Sequence, residues 1–219
     1  MKEMSKVKIY EKSSIPSIKN ERVLLSVIKH PFIINMHFAF QTKDYLYIAL
    51  DYLSGGDLRY NLCKYKKFNE DQTRFILSCL ILALEYLHYN NVIHRDIKPE
   101  NMVFDNKGYV YLTDMGIAKL YNPDKELIDS SGTPGYMAPE VITNQNHMFG
   151  CDYYAIGVIL YELMMGKRPY LGKSRNEIKD QMFSREISIK KNDIPQNWSI
   201  EAADLAMKVI NYNITFIFN

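Results

Sequence analysis

The alternation of apolar and polar residues predicts a chain that begins with mixed helix and strand. Residues 15–29 place their apolar side chains on one helical stripe, which is the pattern of an amphipathic helix. Residues 35–40 and 44–53 alternate in the manner of half-buried strands. Gly55 and Gly56 then mark a break in the path of the chain. The first part of the chain is therefore predicted to be α+β.

The rest of the chain is predicted to be mainly helical. Residues 69–72, NEDQ, have the form of a capping box, and apolar residues at helical spacing follow as far as His88. Residues 102–114 are predicted to form two short strands around a turn at 105–108. Further helices are predicted at about 151–165, 174–183 and 199–210, the last of them capped by Ser199.

Composition places the chain among ordinary globular proteins and argues against two partner classes. Of its 219 residues, 47% are hydrophobic and 24% are charged, so disorder is not expected. The 27 Lys and Arg residues against 25 Asp and Glu residues leave a formal charge of +2. Because this charge is too small to attract nucleic acid or a membrane surface, neither is predicted as a partner.

Cysteine usage and the lengths of the apolar runs bear on where the protein resides. The three cysteines are widely spaced without a CxxC pair, so neither a disulfide framework nor a zinc site is predicted. The longest apolar runs, 76–84 and 155–161, are too short to cross a bilayer, and no signal peptide is recognisable. We expect a soluble cytoplasmic or nuclear protein whose oligomeric state is left open.

Three short motifs that carry chemistry follow one another along the chain. They are HRDIKPEN at 94–101, DMG at 114–116 and GTPGYMAPE at 132–140. Their order and spacing resemble the catalytic loop, the metal-binding motif and the activation segment of protein kinases. The lysine at position 98 is similar to that of serine/threonine kinases rather than tyrosine kinases.

The resemblance covers nearly the whole chain and narrows to the AGC group of kinases. The stretches that carry it are NERVLLSVIKHPFIINMHFAFQ, LYIALDYLSGGDLRYNL and DYYAIGVILYELMMGKRPY. It implies an α+β, two-lobed, protein-kinase-like fold. Residues 1–53 are expected to form a partial N-lobe with the end of the third strand, the regulatory helix and strands four and five. Residues 54–219 are expected to form a mostly helical C-lobe.

Both ends of the sequence depart from the family pattern. No GxGxxG occurs, so the glycine-rich loop and the first two strands are expected to be missing from the N-lobe. The arginine that pairs with Glu140 in the family has no counterpart after Arg185, and NYNITFIFN at the end does not resemble the family continuation. The sequence is therefore interpreted as a catalytic domain truncated at both ends.

The resemblance implies ATP and Mg²⁺ as cofactors and assigns roles to the motif residues. Asp96 is expected to accept or orient the proton of the substrate hydroxyl, Lys98 to steady the transferring phosphate, and Thr133 to hydrogen-bond both. Asn101 and Asp114 are expected to hold the metal ions with hard oxygen ligands. Phosphoryl transfer depends mostly on positioning and charge neutralisation, so these residues must converge on one cleft.

The same resemblance assigns a set of nucleotide-binding residues. Lys2 is expected to orient ATP and to pair with Glu21 on the predicted helix at 15–29. Leu50 is expected to be the gatekeeper beside the adenine pocket. The other positions of this set are Asp51, Leu53, Asp57 and Val103.

Acidic residues near the motifs suggest which protein substrates are accepted. Glu100 and Glu162 match positions that face an arginine two residues before the phosphoacceptor in basic-directed AGC kinases. Asp57 matches a hinge acid that meets another arginine and the ribose. We therefore expect protein substrates with Ser or Thr acceptors and basic residues upstream.

The activation segment carries an aspartate where many AGC kinases have a phosphothreonine. This residue is Asp129, and the family's phosphate partners correspond to Arg95 and Lys119. An aspartate supplies less charge than a phosphate, so it mimics the phosphorylated state only in part. In the alternative interpretation Asp129 is merely solvated, and Ser130 or Ser131 is the true switch.

Three interpretations of the whole chain follow from these observations. The first is an ATP-dependent serine/threonine protein kinase. The second is a catalytically impaired, pseudokinase-like module that binds other proteins, because the roof over the nucleotide is missing. The third is an incomplete gene model whose missing segments would restore the glycine-rich loop and the terminal arginine.

Overall fold

The computed structural model describes residues 1–211 of the chain. The helices are α1 (Lys6–Glu11), α2 (Ile15–Val27), α3 (Leu58–Tyr65), α4 (Glu70–Tyr89), α5 (Pro139–Ile142), α6 (Gly150–Met165), α7 (Arg175–Ser184) and α8 (Ile200–Asn211). The strands are β1 (Lys2–Ser5), β2 (Met36–Gln41), β3 (Tyr45–Leu50), β4 (Val92–Ile93), β5 (Met102–Phe104), β6 (Val110–Leu112) and β7 (Lys119–Leu120). Single 3₁₀ turns cover Pro99–Asn101 and Lys191–Asp193.

A three-stranded antiparallel sheet and helix α2 make up the N-terminal part. The strand order is β1-β3-β2, and Lys2 of β1 pairs with Ile48 of the central strand. Ile48 is buried, as are Leu24 and Leu25 on the apolar stripe of α2. Helix α2 contacts β2 and also buries the charged Glu21. A carboxylate buried among apolar side chains requires a partner, which is described with the site.

Helices α4 and α6 form the centre of the helical part. Helix α6 is apolar on nearly all sides, as expected for a helix that is enclosed by the rest of the fold. Helix α4 begins at a capping box in which Asn69 and Gln72 exchange hydrogen bonds between side chains and backbone amides. Helix α8 approaches α6 so closely that a Cβ atom at Gly157 would lie 2.6 Å from Val209. Only glycine fits at this crossing.

Short strand pairs fix the ends of the motif loops. Strand β4 pairs with β7 and ends at Ile93, immediately before the HRD sequence. Strand β5 begins at Met102, immediately after that loop, and pairs with β6. The β5–β6 turn is closed by Asp105, whose Oδ1 accepts from the amides of Lys107 at 2.8 Å and Tyr109 at 2.9 Å. The two pairs therefore anchor both ends of the catalytic loop.

Most of the predicted helices and strands lie where the sequence pattern indicated, but three helices were not predicted. These are α1, α3 and α5. Helix α3 has a clear start signal, because Asp57 Oδ1 accepts a hydrogen bond from the Tyr60 amide at 2.7 Å. In the sequence this start follows directly on Gly55 and Gly56, which by themselves indicate only a break in the path of the chain.

Two further predictions are that no segment spans a membrane and that the chain divides into two lobes after residue 53. Within residues 1–211 no helix is both long and apolar enough to span a bilayer. The boundary between residues 53 and 54 stays a prediction. The terminal stretch at 211–219, which does not resemble the family, lies outside the described residues except for Asn211.

Candidate active site

A buried aspartate of α6 holds the loop that carries the HRD sequence. Asp152 accepts hydrogen bonds from the backbone amides of His94 at 2.9 Å and Arg95 at 2.8 Å. His88 Nε2 lies 2.8 Å from the same carboxylate. Burial by itself raises the pKa of Asp152, but the hydrogen bonds from His88 and the His94 amide outweigh it, so the pKa is lowered.

The loop takes a strained path at this point. Arg95 has a φ of 69°, a left-handed conformation that costs a non-glycine residue about 1–3 kcal/mol. Its backbone amide is one of the two that Asp152 binds. The buried carboxylate therefore stabilises a backbone conformation that the loop would otherwise leave.

The Asp96 carboxylate is the centre of a polar cluster. Lys98 Nζ lies 2.6 Å from Asp96 Oδ2, and the Thr133 hydroxyl donates to Asp96 Oδ1 at 2.7 Å. Lys98 Nζ also lies 2.9 Å from Thr133 Oγ1, and Asn101 Nδ2 donates to Asp96 Oδ2 at 3.2 Å. The structure thus brings together the four residues to which the resemblance assigns catalysis. A carboxylate in this position can orient a hydroxyl while the adjacent ammonium group binds an anion.

The two residues assigned to metal binding follow this cluster. Asn101 Nδ2 also donates to the Asp96 backbone carbonyl at 2.9 Å, which leaves the Asn101 Oδ1 for a metal. Asp114 has a φ of 63°, and its Oδ1 accepts from the Gly116 amide at 3.1 Å. The Thr113 amide donates to the Asn101 carbonyl at 2.9 Å, so the two segments are tied together.

The chemistry of these donors fits a hard divalent cation. Magnesium is typically held by one or two carboxylate or amide oxygens together with phosphate oxygens and water. Among residues 1–211 no cluster of three or more His, Cys, Asp or Glu side chains could hold a metal alone. Asn101 and Asp114 offer an amide oxygen and a carboxylate, which are ligands of this kind.

An ion pair links β1 to α2 in the N-terminal part. Lys2 Nζ lies 2.7 Å from Glu21 Oε2 and 2.8 Å from Oε1. The Glu21 side chain is only 5% exposed, whereas that of Lys2 is 39% exposed. Lys2 is thus the partner that the buried Glu21 requires, and its own side chain stays partly exposed.

Two polar residues of α2 bind the DMG segment, and sequence reasoning missed both. Asn20 Nδ2 donates to the backbone carbonyls of Met115 at 3.1 Å and Ala118 at 2.8 Å. The Ser17 hydroxyl donates to the Gly116 carbonyl at 2.9 Å. Met115 itself is fully buried. These bonds fix the orientation of the helix that carries Glu21 relative to the segment that carries the metal-binding aspartate.

The remaining residues predicted to bind the nucleotide lie at the end of β3, in the segment after it and on β5, and the two carboxylates among them have structural partners. Asp51 Oδ2 accepts from the Asn35 amide at 2.9 Å and from its side chain at 2.8 Å, while His37 Nε2 lies 2.7 Å from Oδ1. Burial raises the pKa of Asp51, but the Asn35 and His37 hydrogen bonds reverse the shift, so the pKa is lowered. Asp57 caps α3 and bridges to Val103 of β5.

Leu50 and Leu53 complete this segment. Both are partly buried and pack against the main hydrophobic core. Their placement at the end of β3 and just after it is compatible with the wall of an adenine pocket, but their contact with a nucleotide stays a prediction.

The two acids expected to bind a substrate arginine are both occupied. Arg59 of α3 donates from Nε to Glu100 at 2.8 Å and from Nη1 to Glu162 at 2.9 Å. Sequence reasoning did not single out Arg59. That Glu100 and Glu162 face a substrate arginine stays a prediction, and in this structure Arg59 of the chain itself binds both carboxylates.

Asp129 of the activation segment is bound by Arg95 of the catalytic loop, by Lys119 of β7 and by Ser131. Arg95 Nη1 lies 2.9 Å and Lys119 Nζ 3.0 Å from its Oδ2. The amide of Ser131 donates to Oδ1 at 2.9 Å, and its hydroxyl donates to the same atom. Partial burial raises the pKa of Asp129, but the hydrogen bonds from Ser131, Arg95 and Lys119 outweigh it and hold the pKa well below its usual value. Ser130 is bound through its carbonyl, which accepts from Arg175 at 3.0 Å.

Glu140 of the APE sequence lies in the first turn of α5. Burial raises its pKa, and the smaller opposing effect of its own backbone hydrogen bond does not reverse this shift. The carboxyl is therefore in an environment that disfavours its charge, as expected for this position when an arginine partner is absent from its surroundings.

Comparison with known proteins agrees with this geometry. The protein kinase domain family matches residues 1–215. The serine/threonine-protein kinase sgk-1 of Caenorhabditis elegans is 40% identical over 88% of this chain and 42% of its own length. A RAC family serine/threonine-protein kinase homolog of Dictyostelium discoideum is 38% identical over 96% of this chain and 47% of its own length.

A third relative is similar to the chain at a comparable level of identity. The ribosomal protein S6 kinase 2 beta of Xenopus laevis is 38% identical over 90% of this chain and 31% of its own length. The chain thus spans less than half the length of these curated relatives.

Proposed function

The chain belongs to the protein kinase family, and on that premise we propose that it transfers the γ-phosphoryl group of ATP to serine or threonine residues of proteins. One observation carries the proposal: the cluster in which Lys98 and Thr133 both bind the Asp96 carboxylate. Function follows from the site and not from the fold alone, and this cluster has the geometry that the reaction requires.

Each residue of the cluster has a separate task in the proposed reaction. Asp96 binds and orients the substrate hydroxyl and accepts its proton at a carboxylate oxygen. Lys98 stabilises negative charge on the phosphoryl oxygens. Thr133 holds both side chains so that they need not reorganise during the reaction.

The nucleotide is proposed to bind between Lys2 and the residues Asn101 and Asp114. ATP supplies the phosphoryl group, and a divalent cation, which we propose to be Mg²⁺, neutralises its charge. Lys2, oriented by Glu21, binds phosphate oxygens. Asn101 and Asp114 supply the oxygen ligands for the cation. We propose a cytoplasmic or nuclear location and protein substrates with Ser or Thr acceptors.

Nucleotide binding is tested first by thermal unfolding of the full-length protein. With ATP and Mg²⁺ at about 100 times the Kd, the folded state should gain about 2.7 kcal/mol, which raises the Tm by several degrees. The Lys2→Ala variant should bind ATP about tenfold more weakly, because it loses a charge-assisted contact. Chelation of Mg²⁺ with EDTA should remove most of the shift.

The matched control is Lys43→Ala, which removes an exposed lysine between β2 and β3. It should leave the nucleotide-dependent shift unchanged. If the folded wild-type protein shows no shift with Mg-ATP and transfers no phosphate, the proposal is wrong and the protein-binding module is favoured.

We also propose that Asp129 orders the activation segment without phosphorylation. The support is its set of bonds to Arg95, Lys119 and Ser131, which are the kind of contacts that a phosphate makes at such a position. Asp129→Ala should lower kcat about tenfold, equivalent to about 1.4 kcal/mol. The measurement is steady-state phosphorylation of a serine-containing peptide by protein expressed without other kinases.

Asp124→Ala is the control for this prediction, because Asp124 is exposed and lies in the same segment. It should leave kcat unchanged. A variant lacking both Ser130 and Ser131 that is inactive, alongside an unimpaired Asp129→Ala variant, would support the serine switch instead.

A further inference from the structure

The two carboxylates that are suited to a substrate arginine are bound by an arginine of the chain itself. Arg59 Nε donates to Glu100 Oε1 at 2.8 Å, and Nη1 donates to Glu162 Oε1 at 2.9 Å. Nη2 donates to Glu162 Oε2 at 3.2 Å, so the contact with Glu162 is bidentate. This fork geometry is the strongest form of arginine–carboxylate recognition.

The pairing is partly buried and reinforced by a tyrosine. The Glu162 side chain is 6% exposed and that of Arg59 is 28% exposed. The Tyr136 hydroxyl donates to Glu162 and also contacts Arg59 Nη2. Burial lowers the pKa of Arg59, but its hydrogen bonds to Glu162 and Glu100 outweigh this and raise the pKa. The guanidinium is therefore a fixed positive charge at this place.

Two of the residues that contact Arg59 lie on the segments that form the Asp96 cluster. Glu100 follows Asp96 by four residues in the catalytic loop, and Tyr136 follows Thr133 by three residues in the activation segment. Arg59 is therefore bonded to residues that lie close in sequence to two members of the Asp96 cluster.

A second arginine adds positive charge to this surface. The Arg168 guanidinium lies over the Tyr136 ring, 5.7 Å from its centre. Arg168 also fills the space beside Gly135, where a Cβ atom would lie 1.8 Å from its Nη1. Arg59 thus pairs with both carboxylates, and Arg168 adds a second positive charge beside Tyr136.

We propose that Arg59 is a specificity-determining residue that occupies the arginine-binding carboxylates from within the chain. This inference rests on the proposed function for the identity of the site. A substrate arginine must displace Arg59 from Glu100 and Glu162 or remain unpaired beside it, and like charges in close contact disfavour binding. The chain should therefore discriminate poorly for arginine two residues before the acceptor, although the acids for such a preference are present.

Peptide binding by fluorescence anisotropy tests the proposal on the full-length protein. Two labelled serine peptides are compared that differ only in arginine or alanine two residues before the serine. The wild type should bind them with affinities within about threefold, whereas Arg59→Ala should bind the arginine peptide about tenfold more tightly than the alanine peptide. Adding Glu100→Gln to Arg59→Ala should reduce that gain.

Three further variants separate the effect of Arg59 from a general change in charge or a loss of folding. Arg74→Ala removes an arginine on the exposed face of α4, where it pairs with Asp71. It should leave the ratio of the affinities for the arginine peptide and the alanine peptide at the wild-type value. Arg59→Lys keeps the charge without the fork and should give an intermediate ratio. If Arg59→Ala does not fold, Arg59→Gln retains a donor for Glu162 while it removes the charge, and it should raise the ratio in the same direction.

The outcomes separate this inference from the proposed function. Equal binding of both peptides by Arg59→Ala and Arg59→Gln, or no binding of either peptide, would overturn the role of Arg59 even if phosphoryl transfer is observed. A gain of arginine preference without any phosphoryl transfer would support the role of Arg59 and count against the kinase activity. Anisotropy measures binding alone, so neither result depends on turnover.

Discussion

Replacing Asp96 with asparagine is expected to lower the kcat of the full-length protein by about 10³-fold, within the range that a positioned proton acceptor contributes. The substitution keeps the shape of the side chain but removes its negative charge. In the wild type, Lys98 and Thr133 each donate to one oxygen of the Asp96 carboxylate. In the variant, one of these two oxygens is replaced by an NH₂ group, which cannot accept a hydrogen bond. Steady-state phosphorylation of a serine peptide measures the effect.

Measuring kcat and the KM for ATP separately tests the role of Asp96 more specifically than kcat alone. Because Asp96 is assigned to the substrate hydroxyl, the KM for ATP and the Mg-ATP-induced rise in Tm should stay near their wild-type values. Asp105→Asn makes the same chemical change in the β5–β6 turn and keeps the oxygen that accepts from Lys107 and Tyr109. That control should have nearly wild-type kcat, and an Asp96→Asn enzyme that matches it would remove Asp96 from the proposed reaction.

The kinase family and the serine/threonine class could be predicted from short, ordered motifs. The α+β fold followed from the same resemblance and from hydrophobic periodicity. The family match confirms the kinase family and the fold, and the relatives described above are named serine/threonine-protein kinases or ribosomal protein S6 kinases. Periodicity succeeded where one face of an element is buried, as in β3 and α4. It failed for α3, whose start depends on one capping bond after two glycines.

The contacts that orient the site were harder to predict, for a physical reason. Asn20 and Ser17 bind backbone carbonyls 95 to 99 residues away, and a carbonyl acceptor leaves no signature in the side-chain sequence. Arg59 lies 41 residues from Glu100 and 103 residues from Glu162. Only the folded arrangement of α3, α6 and the catalytic loop brings these charges together.

The strained backbone positions also could not be predicted from the sequence, although the residues at these positions could. The identities of Arg95 and Asp114 could be matched to motifs, but nothing in their sequence indicates a positive φ. Such conformations persist only where surrounding contacts determine them. Asp152 supplies those contacts for Arg95, so the stability of the fold and the geometry of the site depend on the same buried carboxylate.

Replacing Asp152 with alanine is therefore expected to destabilise the folded protein by about 3–5 kcal/mol, because several buried hydrogen-bonding groups lose a charged acceptor at once. The amides of His94 and Arg95 lose their acceptor in a buried position, and His88 loses its partner. Urea denaturation followed by circular dichroism gives the free energy of unfolding. Asp152→Asn should recover only part of the loss, because its amide nitrogen cannot accept from a second backbone amide.

A pH series and a surface control make this prediction specific. Since the pKa of Asp152 is lowered in the folded state, its contribution is present above the unfolded value of 3.8 and is lost as the pH falls through the folded value. Lowering the pH should therefore reduce the difference in the free energy of unfolding between the wild type and Asp152→Ala. Asp71→Ala on α4, whose side chain is 85% exposed, should cost at most about 1 kcal/mol at any pH. If Asp152→Ala were as stable as Asp71→Ala at neutral pH, the buried carboxylate could not be what holds the catalytic loop in its strained conformation.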